Sequence, residues 1–515
     1  MVPFPKAGQI GVIKDLSAPE LPLNAWTDCR NIRFLDGAAL QFYGHGEVYN
    51  SPSVAPQYML PANVNGQRYW IYASASKVFA VINSGGVATH SDITPTTSRV
   101  GVVNQWTGTI LGGIPILNAG DGSKPMYWDL NTSHKFADLP AWPANTSCKS
   151  LRRFKNFLIG LNTTENGVNY PVKIMWGQPA DPGTLPSTWD PTDPTKDAGN
   201  LPVADAEGPL IDGRELRDSF IVYAENSTHA LDFIGGVFVL RNRKVFGMSG
   251  AMNRNCIAEF DGWHLVLTSS DVVIHDGYTA QSVLDKRSRR YLFQNIDVAA
   301  RDRCFVFRNP FLNEIFICYP SIGAISCDRA MVYNYVDKTV SFRDLPNVNH
   351  ADMGPVDNSL SGNWNQDPAP WASDLTAWNG PDFTPDTARV IMASADAKLY
   401  MLDASSSFDG AIPSAYLERR GLSFDAPEYF KLISSVRPRI TGNIGETVII
   451  KVGGHNSDPY ADPEYPVTMT HVIGQTVSND CMVQYRYPAI RFETGTAYQW
   501  RLDSFDVDVK KTGMW

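Results

Sequence analysis

The sequence predicts an all-β fold: a β-propeller with long loop insertions, followed by a C-terminal antiparallel β-sandwich-like domain. Three observations carry this expectation. Short runs rich in β-branched and aromatic residues recur in pairs, bounded by Gly, Pro, Asn and Asp, which is the pattern of hairpins. Glycine (40) and proline (35) are both abundant and aromatics reach 11%, a composition that interrupts long helices and suits many tight turns. The paired runs repeat at roughly 45 to 70 residues, overlapping the spacing of propeller blades once loop insertions are allowed. The same hairpins could also build a pair of β-sandwiches.

At 515 residues the chain exceeds one ordinary core. The texture changes near Ala411, so the expected division is a propeller over 1–410, its N-terminal segment helping to close the ring, and a second domain over 411–515.

In chain order, Gln67 to Ser74 pairs with Lys77 to Ile82, and Thr109 to Leu117 leads through an Asn-Ala-Gly-Asp-Gly turn into Pro125 to Leu130. RRFKNFLIGL (Arg152 to Leu161) reads as a basic-aromatic strand. Trp263 to Thr268 precedes Asp271 to Asp276, and Arg303 to Arg308 precedes Glu314 to Tyr319. Arg329 to Val336 and Thr339 to Arg343 form the next pair, then Arg389 to Ala393 and Lys398 to Asp403. Several strands end on a short acid or amide able to bond the turn it opens: Asp129, Asp276, Asn334 and Asp403. Pro179 to Pro209 and Asn347 to Pro385 lack periodicity and read as long excursions. The prolines around Trp364, Trp371 and Trp378 favour packed loop aromatics over a helical stripe. Near the C-terminus, Tyr498, Trp500 and Leu502 share one face, and Phe505, Val507 and Val509 continue one residue out of phase, which predicts a bulge or bend at Asp503-Ser504.

The chemistry of catalysis is sparse. There is no Walker A, GxSxG, HExxH or dinucleotide fingerprint, and Gly112-Gly113 and Gly235-Gly236 suit turns. Among nine histidines, His264 and His275 form the closest pair of interest, and without an acidic partner at ligand spacing they read as packing residues. Asp121, Asp261, Asp271 and Asp276 are the acids that a propeller glycosidase would gather in a cleft; each reads first as a turn former. The densest basic patch is Lys286, Arg287, Arg289 and Arg290, a solvated edge or subunit contact. No catalytic, cofactor-binding or metal residue is assigned, and no cofactor is expected.

The formal net charge of −9 argues against a dedicated nucleic-acid binder, which needs a basic surface. It is compatible with a wall past which DNA slides without sticking. Seven scattered cysteines show no metal spacing and read as reduced thiols, with Cys304 and Cys318 inside apolar runs. Neither a signal peptide nor an 18-residue apolar run is visible. The sequons at Asn131, Asn145, Asn162 and Asn226 therefore read as incidental.

The ordered series of segments resembles the tail nozzle, or head-closure stabilisation, proteins of short-tailed bacteriophages. It comprises TDCRNIRFLDGAAL (Thr27 to Leu40), FKNFLIGLN with KIMWGQPADP and STWDP, LRDSFIVYAENSTHALDF, SSDVVIHDGYTAQSVLDKRSRRYLF, NEIFICYP, MVYNYVDKTVSFRDLP, and finally ERRGLSF, VRPRITG, KVGGHN and QWRLDSFDV. The resemblance spans about Thr27 to Val509. The two long inserts depart from it. It implies a structural protein of the virion, assembled in the host cytoplasm: a homohexameric ring beneath the portal and head-to-tail adaptor that extends the DNA channel, retains packaged dsDNA and conducts it at ejection. Tail fibres, spikes or a needle would attach to it. A virion propeller that binds a receptor or degrades a glycan is the alternative.

Overall fold

The computed structural model describes residues 1–515 except 65, 85–86, 237, 285–286, 357–387, 497 and 515. The described chain is β-rich, and its hairpins assemble into a β-propeller fused to a β-sandwich. Five independent four-stranded antiparallel sheets follow one another in sequence. Their inner strands are Tyr58–Val64 (blade 1), Thr107–Leu111 (blade 2), Thr146–Phe154 (blade 3), Leu210–Leu216 (blade 4) and Ile257–Phe260 (blade 5). Blade 6 runs from Phe305–Asn309 through Glu314–Tyr319 and Cys327–Asn334 to the first half of the long strand Thr339–Pro355. The second half of that strand crosses to the channel as the inner strand of blade 7, pairing with Ala388–Ser394 and then Leu399–Ser405. Gly44–Glu47, from the other end of the chain, supplies its outer strand. The inner strands of blades 7 and 1 also pack together, so seven blades close a ring and leave no free inner edge.

Several hairpins form where alternating apolar residues meet a residue that accepts positive φ. Lys155 (φ 51) and Asn156 turn RRFKNFLIGL into two strands rather than one, and Gly112 and Gly113 (φ 54 and 95) divide Thr109 to Leu117 in the same way. Blade cores are filled by large side chains. Trp70 and Tyr72 lie between blades 7 and 1, Trp106 and Trp128 between blades 1 and 2, and Phe154, Phe220 and Val222 between blades 3 and 4.

The expected domain division places the whole N-terminal segment with the propeller. Strand pairing distributes it otherwise. Val2–Phe4 pairs with Trp500–Met514, Asp28–Arg30 with Tyr416–Arg419, and Ala38–Gln41 with Arg501 and Leu502. Only Gly44–Glu47 closes the ring. The sandwich strands are apolar on their inner faces only, and Phe4 stacks on Phe505 (4.3 Å) with Trp26 and Phe492 around it; without the N-terminal strands that face would be open to water. At the expected bulge, Arg439 pairs with Ser504 but Ile440 pairs with Leu502, so Asp503 is the extra residue. Its carbonyl accepts the Ala7 N–H at 2.9 Å. Inserting a second residue beside Asp503 is expected to put Phe505 and Val507 on the solvent face, seen as loss of cooperative thermal unfolding, whereas deleting Asp503 keeps both on the inner face and removes only the bulge and its bond to Ala7.

The excursion expected over Asn347 to Pro385 begins later than the sequence suggests, because residues up to Pro355 are strand. They read as loop because this inner strand is polar where it meets the channel. Trp364, Trp371 and Trp378 lie outside the described residues. Within Pro179 to Pro209, Gly199–Pro202 forms the outer strand of blade 3. The rest folds back onto the ring, with Trp189 packed edge-on against Trp142 at 4.5 Å.

Candidate functional site: the central channel

The seven inner strands converge on a cavity of about 780 Å³. Five arginines (Arg152, Arg153, Arg214, Arg217, Arg308) and four carboxylates (Asp212, Glu215, Glu259, Asp352) line it. At the end where the inner strands begin, the channel is stoppered. Arg152 donates two hydrogen bonds to Asp212 (2.8 and 2.7 Å) and one to Asn255 Oδ1 (2.7 Å). Asp212 also accepts from Ser150 Oγ at 2.6 Å and the Asn255 N–H at 3.0 Å, and Asn255 donates to Asn104 Oδ1 at 3.0 Å. Burial works against the Asp212 carboxylate, yet the Arg152 pair and these donors hold it down to about 2.

At the other end the rim is open and asymmetric. Leu60, Ile110 and Met353 from blades 1, 2 and 7 form an apolar arc, whereas blades 3 to 6 contribute Arg153, Arg217, Glu259 and Arg308. Arg308 is fixed by Asp261 (3.0 Å) and the Tyr335 hydroxyl (3.1 Å). Arg217 lies over Gly262 (φ 76), where a Cβ would come within 3.0 Å of its Nε. Asp352 has its own neighbour's N–H (Met353, 2.8 Å) as hydrogen-bond donor. Burial raises its pKa to about 6, against the pull of Arg214 and Arg152.

The residues singled out from sequence do not converge. Asp121 accepts from the Ser123 N–H of its own turn and from the Val100 N–H of a separate loop, and Asp276 closes its own turn through Tyr278 and Thr279. Asp271 bonds the Val272 N–H and Ser282, with Arg289 at 3.5 Å. Asp261 alone reaches the channel, through Arg308. Of the basic patch, Lys286 lies outside the described residues and Arg287 donates to the Lys338 carbonyl. Arg289 and Arg290 open the single described α-helix, Arg289–Asn295. Asp15 accepts the Arg290 and Tyr291 N–H groups (2.7 and 3.1 Å), capping that helix from a distant part of the chain. All seven cysteines are free, and six are buried. The channel groups were not singled out from sequence, because inner-strand charges look like those of any solvated strand face. Their signal was the charge density of GRELR and RRF inside apolar hairpins.

His264 and His275 are cross-strand partners bridged by one hydroxyl, with Tyr223 Oη at 2.7 Å from each. His264 Nε2 donates to the Glu215 carbonyl (2.9 Å), and His275 Nδ1 accepts the Gly277 N–H (3.2 Å). These bonds assign a direction: His275 Nε2–H to Tyr223, Tyr223 O–H to His264 Nδ1, both rings neutral. Burial depresses His275 to about 4 and His45 and His350 to about 3. The unfolded chain therefore takes up protons below its ordinary histidine pKa of about 6.5 that the folded chain refuses. Stability falls as pH drops from about 6.5 toward 4. Glu314 (about 7) and Asp352 (about 6) act in the opposite sense but are fewer. The expected outcome is a lower Tm at pH 5 than at pH 7, with the difference reduced in His264→Gln/His275→Gln.

Among the described residues no helix is long and apolar enough to cross a membrane, and no group of three His, Cys, Asp or Glu side chains is placed to hold a metal ion. No known protein family matches the chain, and no curated relative matches it. Among solved structures it is similar to Sqt1 of Saccharomyces cerevisiae, with 10% identity, 66% of this chain and 82% of that one covered, and a TM-score of 0.38. It is also similar to PorZ of Porphyromonas gingivalis, a component of the type-IX secretion system, with 8% identity, 72% and 42% covered, and a TM-score of 0.37. Likeness at that level carries no argument about function; the propeller rests on the strand pairing itself.

Proposed function

We propose that this chain is a structural virion protein, the nozzle ring of a short-tailed bacteriophage tail. Six copies close beneath the head-to-tail adaptor, hold back packaged dsDNA and conduct it at ejection, with fibres, spikes or a needle attached below. The DNA passes between subunits: each propeller's own channel is stoppered by the Arg152–Asp212–Asn255 network and passes no duplex. The chain's excess negative charge lies on the wall of the shared lumen, where it repels phosphate.

The observation that carries the reading is a pair of exposed apolar patches, one on each domain. Phe233, Ile234 and Phe238 crown a hairpin of blade 4, at 47, 48 and 74% exposure, and Ile444 and Val477 stand at one end of the sandwich at 83 and 81%. A ring needs two different surfaces that meet each other, because a heterologous contact closes only when its rotation fits. Phe238→Asp and Ile444→Asp are each expected to dissolve the assembly while leaving Tm within a few degrees of the parent. Negative-stain images test the reading. Six-fold rings with a central lumen support it; single particles that cleave or bind a host glycan support the alternative propeller.

A further inference from the structure

We infer that the open mouth of the propeller channel is a binding pocket for an acidic sugar, independently of whether the chain forms a ring. The pocket holds guanidinium and carboxylate groups that leave each other unpaired. Among the described residues, Arg153 and Arg214 bond only backbone carbonyls, those of Ile110 and Ile257, and Arg217 has no carboxylate within ion-pair distance. Glu215, Glu259 and Asp352 line the same cavity and likewise have no cation within ion-pair distance. This differs from the stoppered end, where Arg152 and Asp212 satisfy each other.

Three features narrow the ligand. The cavity, about 780 Å³, lies in the size range of small-molecule sites. Guanidinium groups with free N–H donors suit a carboxylate, which they hold by paired charge-assisted bonds. Free carboxylates suit hydroxyl donors. The apolar arc of Leu60, Ile110 and Met353 faces the charged half of the rim, as a ligand with one apolar and one polar side requires. A simple oxyanion would meet the three carboxylates unfavourably. A neutral sugar would leave the arginines unmatched. A saccharide bearing a carboxylate satisfies both sets.

The test is titration of the full chain with glucuronic acid and N-acetylneuraminic acid, with glucose, acetate and inorganic phosphate as comparators. The acidic sugars are expected to bind, and glucose and the simple anions to bind about tenfold or more weakly, because each lacks the charge-assisted bonds that one half of the pocket supplies. Arg153→Ala/Arg217→Ala should weaken acidic-sugar binding about tenfold or more with Tm unchanged, and Glu259→Gln should weaken it less. No acidic-sugar binding, equal binding of phosphate or acetate, or affinity unchanged in the double variant would each overturn the inference.

Discussion

Asp403→Ala is expected to destabilise the chain by about 3–5 kcal/mol, because it takes a carboxylate from two buried guanidinium groups at once, leaving Arg33 with Glu314 alone and Arg343 with none among the described residues. Arg33 Nη2 and Arg343 Nη1 reach the two oxygens of Asp403 at 2.7 and 2.8 Å, and their side chains are 3 and 0% exposed. Both cations also lie over the Phe42 ring, at 4.3 and 4.9 Å. Asp403 adopts φ 56 inside a register shift between Leu402 and Ser405, a bulge that aims its carboxylate inward. Burial opposes its charge, but the two arginines keep its pKa below the ordinary value. The network joins three distant parts of the chain: Arg33 beside the sandwich, Glu314 and Arg343 in blade 6, and Asp403 in blade 7. Its loss should therefore appear in both domains together, as one shifted urea transition. Glu314 provides the contrast. Burial raises its pKa to about 7 despite Arg33, so its favourable contribution is present at low pH and lost as pH rises through about 7. Glu314→Gln is expected to be near neutral at about pH 4.5 and increasingly stabilising as pH rises to about 7.

Asp212→Ala is the second large expected effect, also about 3–5 kcal/mol. It removes both carboxylate bonds of Arg152 and leaves the Ser150 hydroxyl and the Asn255 N–H without their acceptor. Inner strands from blades 2, 3, 4 and 5 meet at this knot, since Arg152 also donates to the Gly108 carbonyl at 3.2 Å. Asp212→Asn keeps the shape but removes the charge, and should recover part of the loss. In the parent the pair's contribution fades as pH falls from about 3.8 toward 2. Denaturant melts of the three proteins at pH 7 check the order parent, Asn, Ala.

Local signals carried far in this sequence. Turn chemistry was legible at Asp129, Asp276 and Asn334, each of which bonds the backbone of the turn it opens. Asp403 shares their sequence context, but its carboxylate is claimed by two arginines from 370 and 60 residues away; a pairing at that separation leaves no local trace. The bulge at Asp503 was legible because a phase slip in an alternating strand has one structural remedy. The ring closure by Gly44–Glu47 was not, since four polar or glycine residues carry no strand pattern of their own. The weaving of the N-terminal strands into the sandwich, with Ile32 also bridging to Phe342 of blade 6, was hidden for a similar reason: their apolar residues say that they are buried but not against what. The channel stayed unread because its charges come from separate blades, and no two of the facing groups are close in sequence beyond RR and GRELR.

Native mass measurement of the purified 515-residue chain over a wide range of concentration decides whether it forms the ring. The expected species is one of six 56.9 kDa subunits that dissociates in Phe238→Asp and in Ile444→Asp. A folded monomer at every concentration would contradict it, as would an assembly of another order that ignores both substitutions.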